Sequence, residues 1–271
     1  MKKTDCIYVL LGLFCSLGVN AAASVASLNQ CPDMIFIDGF KDESIPSDGM
    51  GGSFPGSFQT TINVNNTYYY YIPSSYQTDQ AMPLLVVWHG AAGAGNAVSA
   101  AIATRDYWVA EAESNHFIVV AQVATGASGG WEPIPDANRM ADIIDDMQAR
   151  YNIETSRRYV WGFSAGGHVM HAIALQNSNY FAAYAVSAGV LAAYAGNSAP
   201  ANAMRQLPVY VSVGNTDTLL SYAQNDKLLF LQAGWQEGQN YWMDVFSGGH
   251  VLPNDLPEKA WHKICISTNI E

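Results

Sequence analysis

The stretch YVWGFSAGGHVM, Tyr159–Met170, runs from β-branched and aromatic residues into a serine set among small residues, and then into residues that suit a helix. Strand, sharp turn and helix in that order form a nucleophile elbow, in which helix N-terminal amides face a developing anion and glycines let the chain pass closely. The pattern Gly-x-Ser-x-Gly is weak alone, since chance supplies about 0.1 match in a chain of this size. Here it occurs twice, as Gly162-Phe163-Ser164-Ala165-Gly166 and as Gly126-Ala127-Ser128-Gly129-Gly130. Pro133 and Pro135 are expected to deny Ser128 the following helix, so Ser164 is the candidate nucleophile.

Outward from this stretch, short and nearly all-apolar runs alternate with helical segments. Leu84–Trp88, Phe117–Ala121, Tyr159–Phe163, Ala182–Val186, Val209–Val213 and Tyr241–Phe246 read as strands buried on both faces. Helices are expected over Ala97–Glu113, Asn138–Tyr151, Ala165–Gln176 and Ser221–Gln236. Gln59–Val64 and Tyr68–Ile72 read as an antiparallel pair turning at Asn65-Asn66. The alternation implies an α/β fold whose mainly parallel sheet carries helices on both faces. In such sheets the site lies beyond the carboxyl ends of the strands.

That rule selects the partners of Ser164. A serine hydroxyl needs a base, and of the six histidines His250 alone follows a strand through a flexible Ser247-Gly248-Gly249 at the carboxyl edge. The carboxylate that would orient it is Asp217, directly after Val209–Val213; Asp226 and Asp244 fall inside a helix and a strand. The oxyanion needs backbone donors, expected from Ala165 after the nucleophile and from Ala91 in His89-Gly90-Ala91-Ala92-Gly93.

The N-terminus begins with Met1-Lys2-Lys3, continues through an apolar run from Cys6 to Val19 and offers small residues at Asn20–Ala23. Residues 1–23 therefore read as a signal peptide, 24–58 as an irregular strap rich in Gly, Pro, Ser and Asp, and 59–271 as a single catalytic domain. Net charge is −11, which disfavours nucleic acid and anionic membranes as partners. Cys31 and Cys265 stay after the leader is removed, either joined by a disulfide in an oxidising compartment or buried as separate thiols.

These residues together resemble the secreted α/β-hydrolase esterases grouped with polyhydroxybutyrate depolymerases and feruloyl esterases. The matching pieces are Tyr69–Pro73, Pro83–Gly90, Tyr151-Asn152-Ile153, Arg158–Gly167, Pro208–Asp217 and Gly248-Gly249-His250, so the likeness spans Thr67 to Pro253. The chain order Ser164, Asp217, His250 is the one that fold uses. The resemblance implies an α/β-hydrolase fold and a serine carboxylesterase that works through an acyl-enzyme with no metal or organic cofactor. Between Ser164 and Asp217 there is room only for a short excursion around Ala192–Arg205, so no large lid and an open cleft are expected, in a monomer. Its substrate would be a polyester, such as polyhydroxybutyrate or an aromatic polyester, or a bulky aromatic ester. The alternatives are an acetyl ester on polysaccharide, or a peptide cleaved on the same fold. Trp131 resembles a family tryptophan near the site, placed either to stack on substrate or to pack; His89 is its companion as a substrate-binding candidate. Family members often carry cysteine where this chain has Ala91, a position that acts through its backbone.

Overall fold

The computed structural model describes residues 55–267 together with Gly49 and Gly52. The signal peptide, nearly all of the strap, and Cys31 lie outside the described residues. Cys265 is half-buried and has no disulfide partner among the described residues.

One eight-stranded sheet organises these residues in the order β1-β2-β4-β3-β5-β6-β7-β8. The strands are β1 Gly56–Ile62, β2 Asn66–Ile72, β3 Met82–Trp88, β4 Ile118–Gln122, β5 Ile153–Phe163, β6 Ala183–Ser187, β7 Val209–Gly214 and β8 Tyr241–Phe246. β1 and β2 run antiparallel to each other, β2 runs antiparallel to β4, and every pairing from β4 across to β8 is parallel. The helices are α1 Ala97–Asn115, α2 Pro133–Arg150, α3 Ala165–Gln176, the short α4 Ala199–Asn202, α5 Leu220–Gln232 and α6 Leu256–Ile264. Strands β3, β4, β6 and β7 are buried throughout because each is apolar on both faces and covered on both. The larger apolar layer packs α2, α3 and α5 on one face, and a second layer packs α1 and α6 on the other.

The structure differs from the sequence reading at several element boundaries. β1 begins at Gly56, inside the segment assigned to the strap, and the hairpin turns at Asn63–Asn65 with Asn63 and Val64 at φ 48° and 70°. β5 starts at Ile153, six residues early. α2 opens at Pro133, where proline's fixed φ and missing N–H suit the first helical turn. α6 is absent from the sequence reading; it buries Leu256, Ala260, Trp261 and Ile264 along one stripe. No helix of the described residues is long and apolar enough to cross a membrane.

Candidate active site

Ser164 sits between β5 and α3 with φ 50° and ψ −117°, a conformation disfavoured for any residue with a Cβ. It survives because the turn is fastened on both sides. The Ser164 amide donates to the Ser187 carbonyl at 2.8 Å, and the Ser164 carbonyl accepts from His168 N–H at 2.9 Å. The turn tolerates no bulk: a Cβ on Gly162 would lie 2.5 Å from the Gly166 carbonyl oxygen, and one on Gly166 would lie 2.6 Å from that of His89. The same closeness brings the loop after β3 against the elbow, with Gly90 next to the Ser164 Cβ.

His250 Nε2 lies 2.8 Å from Ser164 Oγ, and its Nδ1 lies 2.8 Å from Asp217 Oδ2. A carboxylate at Nδ1 holds the proton there, which turns the Nε2 lone pair to the serine hydroxyl. The Asp217 carboxylate is fully buried, while the His250 side chain is 42% exposed. Asp217 Oδ1 accepts from the Leu219 amide at 2.9 Å, so both carboxylate oxygens are engaged. The loops carrying the two residues are tied together. Thr216 donates through N–H and Oγ1 to the Gly248 carbonyl, Gly248 N–H donates to Asn215 Oδ1, and the His250 ring lies against Phe163.

Ala165 is the first residue of α3 and Ala91 lies in the exposed loop beside the elbow. Among the described residues neither amide has an acceptor, which leaves both able to donate. That loop is braced from behind: the Ala92 amide donates to the Gly129 carbonyl at 2.9 Å.

Trp131 and His89 are placed otherwise than as substrate contacts. Trp131 is buried, stacked flat on Trp88 with ring centroids 3.9 Å apart, and donates through Nε1 to the His89 carbonyl at 2.8 Å. His89 is buried too; its Nδ1–H faces the Gly90 carbonyl, its Nε2 accepts from Ala124 N–H, and desolvation lowers its pKa. Both side chains therefore hold the Gly90-Ala91 backbone in position. Ser128 is exposed on a loop, five residues before α2 begins. The prolines do not prevent a helix there; the helix starts too late to place its amides at Ser128.

Sequence reasoning misses the polar layer under the elbow. Ser187 and Ser212, paired in register toward the carboxyl ends of β6 and β7, bond through their hydroxyls at 2.9 Å, and Trp161 Nε1 donates to Ser187 Oγ at 3.1 Å. His168, one turn along α3, accepts the Val190 amide at Nδ1, and burial pushes its pKa down to about 4. The legible signal is a serine within each of two otherwise apolar strands, Ser187 ending β6 and Ser212 two residues before the end of β7. Among the described residues no cluster of three His, Cys, Asp or Glu side chains could hold a metal ion.

Comparison with known proteins agrees with this architecture. A model of the prolyl oligopeptidase family matches residues 136–210, under a third of the chain. A bifunctional acetylxylan esterase/xylanase, XynS20E, from Neocallimastix patriciarum is 31% identical over 125 residues, 45% of this chain and 18% of that protein. The chain thus spans less than a fifth of that relative's length. Among solved structures, a thermostable esterase superposes with a TM-score of 0.64 at 18% identity, covering 78% of this chain and 62% of that one. A ferulic acid esterase does so at 0.60 and 15% identity, covering 78% and 96%, and an S-formylglutathione hydrolase from Agrobacterium tumefaciens at 0.59 and 15%, covering 79% and 98%. With the sheet order, the elbow and the placement of Ser164, Asp217 and His250 at one edge, these likenesses establish that the chain has the α/β-hydrolase fold.

Proposed function

We propose that the protein is a serine hydrolase of carboxylic esters, acting through an acyl-enzyme. The observation that carries this reading is the unbroken chain from Ser164 Oγ through His250 to Asp217, at 2.8 Å for each step. Ser164 Oγ attacks the ester carbonyl as His250 Nε2 takes its proton; the amides of Ala165 and Ala91 receive the oxyanion, and His250 returns the proton to the departing alcohol. Water, deprotonated by His250, then releases the acid. Esterase names among the relative and the structural neighbours support the same chemistry.

The ester is proposed to be bulky, aromatic or polymer-borne: a hydroxycinnamoyl or acetyl group on polysaccharide, or a polyester of the polyhydroxybutyrate or aromatic kind. Support comes from the exposed His250 and from the modest excursion between β6 and β7, which holds only a single 3₁₀ turn and α4. The prolyl oligopeptidase match favours a second reading, peptide hydrolysis. Export after loss of residues 1–23, a Cys31–Cys265 bridge and a monomeric state belong to the proposal, on sequence pattern and resemblance.

The test is a panel of p-nitrophenyl acetate, methyl ferulate, acetylated xylan, polyhydroxybutyrate emulsion, an aromatic polyester film and a dipeptidyl p-nitroanilide, each with wild type and Ser164→Ala. Ester turnover that vanishes in the variant is expected. Anilide turnover exceeding ester turnover would establish the peptidase instead, and ester turnover surviving in the variant would remove Ser164 from the mechanism.

A further inference from the structure

A groove of about 590 Å³ opens on the first strands of the sheet. Its lining includes Thr125, just past the carboxyl end of β4, and Val98 in the first turn of α1. Both belong to the edge that carries Ser164. In the strand order β1-β2-β4-β3-β5 the groove extends from two to four strand spacings, about 10–19 Å, from the elbow strand, with β3 and the Ala91 loop between.

Its outer wall is the β1–β2 hairpin, held unusually firmly. Arg139 of α2 donates to the Asn65 carbonyl at 2.7 Å and Asn63 Nδ2 donates to Asp142 at 3.0 Å. Between them Val64, 98% exposed, keeps a left-handed φ of 70° that a β-branched residue adopts only under constraint. On the wall itself Gln59 pairs with Tyr69 across the strands, and Thr61 Oγ1 lies 2.7 Å from Thr67 Oγ1.

The chemistry of the lining is at odds with that of the chain. The chain carries a net charge of −11, yet among the described residues no carboxylate lines this groove; amides, hydroxyls and one guanidinium do, over the apolar surface of Val98 and Val123. Gln and Thr side chains both donate and accept hydrogen bonds. A sugar chain offers hydroxyls that do the same, along with apolar ring faces, whereas a polyester offers acceptors alone. One arginine is too little charge for a polyanion.

We propose that this groove binds the backbone of a neutral polysaccharide whose ester group lies at Ser164, an inference that rests on the ester-hydrolase reading and narrows its substrate to glycan-borne esters. The test separates the two. Binding of unesterified xylo-, cello- and manno-oligosaccharides to the Ser164→Ala protein is measured by calorimetry, with and without Gln59→Ala and Thr61→Ala. Turnover of p-nitrophenyl acetate is measured in the protein with Ser164 intact. One oligosaccharide series should bind, and the double substitution should weaken it about tenfold, the worth of one or two hydrogen bonds. KM for acetylated xylan should rise in parallel while p-nitrophenyl acetate turnover stays the same. Absence of binding by all three series, or binding that the double substitution leaves unchanged, overturns the groove; loss of p-nitrophenyl acetate turnover in wild type overturns the ester-hydrolase reading instead.

Discussion

Ser164 carries the strain of the site in its own backbone. A residue with a Cβ at φ 50° and ψ −117° loses on the order of 1–3 kcal/mol, and the bonds from Ser187 and His168 hold it there. Glycine would shed that strain at a cost of about 0.5–1 kcal/mol in unfolded-chain entropy. Strain relief outweighs the entropy loss, so Ser164→Gly should be inactive yet melt about 2–4 °C above Ser164→Ala, for a net gain of about 1 kcal/mol. Thermal denaturation of the two variants decides it: a glycine variant melting at or below the alanine variant would show that the elbow is relaxed. The placement of Ser164 in a strand–turn–helix elbow was legible because chain order and strand ends are properties of sequence. The posture of Trp131 was not, since its two readings differ only in which ring it meets, and Trp88 lies far away in sequence.

Among the elements, the excursion after β6 is held by a buried acid. Asp226 of α5 accepts the Leu191 amide at 2.8 Å, and burial raises its pKa to about 7. Such a carboxyl binds its proton more tightly folded than unfolded, so between about pH 4 and pH 7 the folded state holds more protons and stability falls as pH rises. Asparagine keeps the acceptor and cannot ionise. The melting temperature of Asp226→Asn minus that of wild type should therefore climb from pH 4 to pH 8; a difference independent of pH would mean that Asp226 is not neutralised by its surroundings. Element boundaries show where sequence reading stops. Pro133 reads as a bar to helix and proves to be its first turn, while the hairpin turns earlier than Asn65-Asn66 because α2 clamps Asn63 and Asn65. α6 escapes notice because it is nine residues long and opens within a Pro-Asn-Asp-Leu-Pro segment, although Leu256, Ala260, Trp261 and Ile264 stand at helical spacing.

At the scale of the whole molecule, α6 ties the loop bearing His250 to the rear layer of the sheet. That loop leaves β8 at Phe246 and enters α6 at Leu256, and Tyr107 of α1 donates its hydroxyl to the Pro253 carbonyl within it. Trp261 anchors the helix, stacked on Phe117 with centroids 3.7 Å apart and edge-on to Tyr159 at 5.3 Å. Trp235 is equally buried on the other face, past the end of α5 at the amino edge of the sheet, with Nε1 bonded to the Leu207 carbonyl. Replacing either ring by alanine should cost about 3–5 kcal/mol and lower the melting temperature by roughly 10 °C. Their effects on turnover should part. Trp261→Ala loosens the support of His250, and small displacements of a catalytic group slow the reaction steeply, so kcat per folded molecule should drop by as much as about a hundredfold at 20 °C with KM for a small ester little changed. Trp235→Ala should leave kcat intact at the same temperature. Equal kcat in the two variants would mean that α6 contributes stability alone, and that the 2.8 Å contacts of His250 are fixed by the Asn215–Thr216 side of the loop pair.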